Sequence, residues 1–181
     1  MFTIHTDQTA PDGSRELLAG IRERIGFVPN LAATIAESPA ALACFAALQG
    51  CLRSTDIPAR EREVVGLVTS FENESRYSMA AHSTFAAGAG MPPDALAALR
   101  AGQAVDDARL EAVRAFAAAL LRERGHGSER FGLTAAEQLE VVAQVAYTTF
   151  ANLVANLADT RLDDAFAAQA WQARATLGAS G

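Results

Sequence analysis

The chain contains no lysine; all fifteen of its basic residues are arginines. That absence excludes a lysine Schiff base, a P-loop lysine and lysine-based phosphate capture. Cysteine is almost as scarce. The two present, Cys44 and Cys51, fall seven residues apart on one expected helix, a rise of ~10 Å. A disulfide tolerates a Cα separation of only about 7 Å, so they do not form a pair with each other. They read instead as two small core residues. No apolar run approaches the ~20 residues that span a bilayer. Residues 1–10 lack a basic start followed by an apolar stretch, so no signal peptide is expected and the cytoplasm is the expected compartment. A basic excess is also missing. The net charge of −6 argues against a nucleic-acid partner, because phosphate binding needs a basic surface.

What is present is alanine and helical periodicity. At 181 residues, half of them hydrophobic, the chain is long enough for one domain with a sizeable core, expected to span residues 1–181. Alanine far outnumbers the β-branched residues, and alanine gives up no side-chain entropy on entering a helix. No strand alternation is sustained anywhere, so the fold class expected is all-α, a helical bundle. A first helix is expected over Ser14 to Ile25, then a break at Gly26-Phe27-Val28-Pro29-Asn30 and a short helix from Leu31 to Glu37. Ser38-Pro39 supplies an N-cap and a first-turn proline for a helix reaching Leu52. Pro58 opens a fourth helix through Phe71, Asn73 to Ser75 separates it from a fifth ending near Gly88 or Gly90, and a short sixth follows Met91-Pro92-Pro93-Asp94 to Ala101. A seventh, Asp106 to Arg124, has Leu110, Val113, Phe116, Ala117, Leu120 and Leu121 on one stripe. Gly125-His126-Gly127-Ser128 is a loop, and Thr134-Ala135-Ala136-Glu137 has the form of a capping box. After it Leu139, Val142, Val145, Ala146, Phe150, Leu153 and Leu157 recur at helical spacing. A final helix from Asp163 carries Phe166 and Trp171.

The informative stretch is Glu63 to His82, EVVGLVTSFENESRYSMAAH. Ser75, Ser78 and His82 are spaced by three and four, so they share one helix face, with Ser75 and His82 about 20° apart around the axis. Ser75 sits at the helix start, where backbone donors and the positive dipole end favour an anion. Glu63 lies on the preceding helix, which returns through the turn near Asn73. A carboxylate, an imidazole and two hydroxyls thus converge at one helix start. Taken singly, each has a plainer reading: Ser75 as an N-cap, Ser78 as an ordinary helix residue, His82 as a hydrogen-bonded structural histidine, Glu63 as part of a solvated face. Glu72 and Glu74 read as turn residues, and Tyr77 either offers the pocket a hydroxyl or packs. His5 and His126 have no partners at metal-ligand spacing, and neither a metal nor a cofactor is expected.

Together the four residues resemble the alkylhydroperoxidase D core of the carboxymuconolactone decarboxylase family. That core has a glutamate, a cysteine twelve residues on, a second three later, and a histidine four after that. From Glu63 those steps give Ser75, Ser78 and His82, so both cysteine positions hold serine. Pro58-Ala59-Arg60-Glu61-Arg62-Glu63, Tyr77-x-x-Ala80-Ala81-His82-Ser83 and Gly26-Phe27-Val28-Pro29-Asn30 are similar to the peroxidase-related branch, with the core motif over about residues 58–101. The resemblance implies an all-α alkylhydroperoxidase D-like bundle and a homo-oligomer, a trimer or hexamer. It also implies a hydroperoxide substrate and a dithiol reductant protein. In that chemistry the residue at 78 is the attacking thiolate, the residue at 75 resolves its sulfenic acid as a disulfide, and Glu63 and His82 relay the proton. Serine forms neither a sulfenic acid nor a disulfide, so the chain as written is expected to be inactive as a dithiol peroxidase unless Cys44 or Cys51 reaches the pocket. Two other readings stand beside it. One is a thiol-free acid–base enzyme of the decarboxylase type, acting on a carboxylated lactone or keto acid. The other is a catalytically silent scaffold or binding protein.

Overall fold

The computed structural model describes residues 2–127 and 129–172. Among these residues there are eight α-helices, one 3-10 helix and no strand. The helices are α1 (Asp12–Ile25), α2 (Asn30–Ile35), α3 (Pro39–Leu52), α4 (Ala59–Glu72), α5 (Arg76–Gly88), α6 (Pro93–Arg100), α7 (Ala108–Arg122) and α8 (Ala135–Leu157), followed by the 3-10 turn Asp164–Gln169. The sequence places each element within a few residues. The segment after Asp163 tightens into a 3-10 helix instead of an α-helix, and Ser128 of the expected loop lies outside the described residues. Among the described residues no helix is long and apolar enough to cross a membrane.

Helix α4 is the centre. Val64, Val65, Leu67, Val68, Thr69 and Ser70 are all buried, so the helix is enclosed on every side, as an almost uncharged central run requires. It packs against α5, α6, α7 and α8. The α7 stripe faces it as its periodicity implies, with Leu110, Val113 and Ala117 buried. A second apolar cluster joins α1, α2 and α3 to one side of α5 and α8 through Leu18, Ile21, Leu31, Phe45, Tyr77, Ala151 and Phe166.

The turn between α4 and α5 fixes where the site begins. Glu74 N–H donates to the Phe71 carbonyl at 3.2 Å and Ser75 N–H to the Ser70 carbonyl at 2.9 Å, the paired bonds of a Schellman stop. The left-handed residue of that motif is usually glycine, but here it is Glu74 at φ 51°. The chain reverses within three residues and starts α5 at Ser75.

One expectation fails. Cys44 and Cys51 are not core residues; both are exposed free thiols. Phe45 and Gln49 occupy the inward face of α3, and at 100° per residue Cys44 and Cys51 point elsewhere. Of the apolar series on α8, Val145 and Phe150 pack against the core. Leu139, Val142, Leu153 and Leu157 are 70%, 41%, 60% and 73% exposed. The buried face is Val141, Gln144, Thr148, Ala151, Asn152 and Ala155. Its polar members bond inside the protein: Asn152 Nδ2 donates to the Thr69 carbonyl at 3.1 Å, Ser70 Oγ donates to Asn152 Oδ1 at 3.4 Å, and Gln144 Nε2 donates to Thr148 Oγ1 at 3.1 Å. With those bonds made, the burial cost of the amides is met and a polar face can turn inward.

Candidate functional site

Glu63 and Gly66 lie one turn apart on α4, and His82 lies on α5. The imidazole rests on the glycine: a Cβ at position 66 would stand 2.4 Å from His82 Nδ1. Gly66 therefore has no side chain because the ring occupies its place. So seated, His82 Nδ1 donates to Glu63 Oε2 at 2.8 Å, with both side chains largely buried. A carboxylate only accepts, so Nδ1 carries the proton of the neutral ring and leaves Nε2 as the open nitrogen.

Ser75 and Ser78 are both buried. Ser75 occupies the N-cap position of α5, yet its hydroxyl caps no backbone donor, contrary to the simplest reading of its place. Among the described residues neither Ser75 Oγ nor Ser78 Oγ has a hydrogen-bond partner. The two then part. Ser78 and His82 line a small cavity of about 70 Å³, together with Phe45, Gln49, Phe85, Tyr147 and Phe166; Ser75 is not on its wall. Glu63 stands behind His82. Of the four residues singled out by spacing, Ser78 and His82 face the cavity, Glu63 is joined to it through His82, and Ser75 lies off its wall. Neither cysteine is among its lining residues.

Two cavity residues carried no signal at all. Gln49 on α3 and Tyr147 on α8 are ninety-eight positions apart and meet across the cavity, Gln49 Nε2 donating to the Tyr147 hydroxyl at 3.2 Å. Burial pushes the Tyr147 phenol up to about 12; the Gln49 bond opposes that and the Glu63 carboxylate adds to it. Tyr77, by contrast, gives its hydroxyl to the scaffold. It donates to Asp163 Oδ2 at 2.5 Å and accepts from Leu31 N–H at 3.3 Å, and burial first, then Asp163, hold its phenol far above its ordinary range. Burial likewise raises the Asp163 carboxyl. Glu72 is engaged at the surface with Arg122 at 2.6 Å. A larger open groove of about 570 Å³, lined by Glu74, Arg76, Asp159 and Trp171, lies beyond Tyr77 and contains none of Glu63, Ser78 or His82. Among the described residues no group of three His, Cys, Asp or Glu side chains is placed to hold a metal ion.

Residues 48–121, which contain Glu63, Ser75, Ser78 and His82, match the carboxymuconolactone decarboxylase family model. Over this segment, which is less than half of its length, the chain resembles that family. A comparison with functionally characterised proteins finds no match. Among solved structures, the chain is similar to a variant of the debrominase Bmp8 in complex with 2,3,4-tribromopyrrole, at 20% identity and TM-score 0.78 over 93% of this chain and 95% of that one. It is similar to an alkylhydroperoxidase AhpD core, an uncharacterized peroxidase-related protein from Ralstonia eutropha, at 24% identity and TM-score 0.77 over 91% and 93%. A peroxidase-related protein from Silicibacter sp. follows at 21% identity and TM-score 0.75 over 91% of each chain. Likeness at these identities establishes the all-α alkylhydroperoxidase D-like fold.

Proposed function

We propose that this chain is a thiol-independent proton-transfer enzyme acting on a small, flat, largely apolar substrate. The carrying observation is the Glu63–His82 pair at 2.8 Å beside a cavity that holds a serine and no sulfur. Glu63 orients His82 and steadies the imidazolium formed when Nε2 takes a proton. The walls are aromatic, which suits a flat ring. The debrominase variant that shares the fold is bound to a halogenated aromatic ring, and that too supports a ring-sized substrate. The cavity is smaller than the ~150 Å³ that admits benzene, so a ring enters by displacing Phe85, which is 39% exposed.

The test is deuterium incorporation next to the carbonyl of cyclohexanone in deuterium oxide, followed by proton NMR. The wild-type chain is expected to accelerate exchange and His82→Ala to lose at least a hundredfold. Exchange equal in the two proteins, or none above background in the wild type, sinks the reading.

A second reading is favoured by the unpartnered hydroxyls. A buried hydroxyl without a partner costs about 1–3 kcal/mol, whereas a thiol in the same place is a small hydrophobe. Ser75 and Ser78 thus occupy seats better suited to sulfur, as in an alkylhydroperoxidase D-type hydroperoxide reductase. On this reading Ser75→Cys/Ser78→Cys consumes hydroperoxide with a dithiol reductant while the chain as written does not. No turnover by the double variant rejects it. Under either reading the chain is proposed to be a homo-oligomer, which the exposed leucines of α8 support.

A further inference from the structure

The cavity holds one polar arrangement that proton removal alone does not use. Arg24 Nη2 donates to Gln49 Oε1 at 3.3 Å, which fixes the amide so that its Nε2 faces Tyr147. Tyr147 therefore receives a hydrogen bond, and its own proton has no acceptor among the described residues. Ser78 has an unpartnered hydroxyl on the same cavity wall, and His82 Nε2 is open there too. Two O–H donors and one basic nitrogen thus face a cavity whose other walls are apolar. One oxygen acceptor in a ligand, within reach of an acidic C–H, would use all three.

We propose that Tyr147 is a further catalytic residue, and that Tyr147 and Ser78 together bind the oxygen of a cyclic ketone as it becomes an enolate. This rests on the proton-transfer reading for the reaction. His82 Nε2 takes a proton from the carbon beside the carbonyl. The C–H electron pair becomes the C=C bond, the carbonyl π pair moves to oxygen, and the enolate oxygen accepts from the Tyr147 and Ser78 hydroxyls. The imidazolium then returns a proton to carbon, so no other reagent is needed. The phenol of Tyr147, pushed up to about 12 mainly by burial, stays protonated at neutral pH and keeps its donor. Fixed donors of this kind act where charge develops.

The probe is 4-nitrophenol, whose phenolate mimics the enolate, with 4-nitrotoluene as the counterpart that lacks only the phenolic oxygen. Tyr147→Phe keeps the ring that stacks on Phe45 at 5.1 Å and removes only the hydroxyl. The wild-type chain is expected to bind nitrophenolate more tightly than nitrotoluene. The variant is expected to lose at least tenfold for nitrophenolate and nothing for nitrotoluene. Equal nitrophenolate affinity in both proteins, or no wild-type preference over nitrotoluene, overturns the proposal. In cyclohexanone exchange, Tyr147→Phe is expected to lower the turnover rate about 10²–10³-fold. The two readings fail separately. Nitrophenolate binding that depends on Tyr147, with no cyclohexanone exchange, rejects proton transfer and keeps the oxygen site. His82-dependent exchange with Tyr147-independent binding does the reverse.

Discussion

A glycine inside a helix gives up about 1 kcal/mol relative to alanine, and Gly66, in the middle of the most enclosed helix, needs a reason for that cost. The reason is His82, whose ring atoms would lie 2.4 to 2.7 Å from any Cβ there. Gly66→Ala therefore sets a propensity gain of about 1 kcal/mol against overpacking of about 1–3 kcal/mol. A net destabilisation of no more than about 2 kcal/mol is expected in urea unfolding. The functional loss is expected to be far larger, because the imidazole has to leave its place beside Glu63, and misplacement by about 1 Å costs on the order of a hundredfold. Cyclohexanone exchange at wild-type rate in a folded Gly66→Ala protein would show that the seat does not matter. The sequence displayed Glu63, Ser75, Ser78 and His82 because helical spacing and one tight turn relate them locally. An unexplained glycine three residues after Glu63 was the one local hint of a close approach. Gln49 and Tyr147 could not be found that way, since only the packing of α3 on α8 brings them together.

At the scale of the element, helix starts were more legible than helix faces. Ser38 accepts from Ala41 N–H as a cap, and Thr134 with Glu137 forms the capping box its spacing implies. The Glu137 carboxylate accepts from Thr134 N–H at 2.7 Å and from the Thr134 hydroxyl at 2.8 Å. It also pairs with Arg109 at 2.6 Å, which reaches across from α7 and binds Glu61 of α4 as well. The backbone bond first, then the hydroxyl and Arg109, hold the Glu137 carboxyl below its ordinary value of 4.5. A carboxyl depressed in the fold contributes stability that is complete above the unfolded value and is lost as pH falls through the folded one. Glu137→Gln is therefore expected to be less stable than the wild type at pH 7, by under ~1 kcal/mol because the group is only partly buried and solvent screens it. The gap should close as pH drops below 4.5. Urea midpoints at pH 7 and on that acid limb measure it, and a gap that is constant with pH would mean that the charge contributes nothing.

For the whole molecule, the α8 faces show what hydropathy reports. Leu139, Val142, Ala146, Leu153 and Leu157 fall within ~60° of one another around the helix and extend over ~27 Å, while the buried residues centre on the opposite side. Periodicity located the apolar stripe without naming the surface it meets. A pattern records which face avoids water without recording whose surface covers it. The inward face is polar because α4 offers Asn152 the Thr69 carbonyl eighty-three positions away, a pairing no local reading contains. Three leucines at least 60% exposed on one helix are costly to leave in water, and contiguous apolar patches of that kind mark interaction surfaces. A second copy of the chain is the partner that fits the homo-oligomer the family resemblance implies. Leu153→Asp/Leu157→Asp is then expected to shift the wild-type oligomer to monomer in light scattering after gel filtration. Far-ultraviolet helicity should be kept, because neither side chain supports the core of its own chain. A wild-type protein that is monomeric at tens of micromolar, or a double variant with unchanged mass, would mean that the α8 stripe does not join copies of this chain.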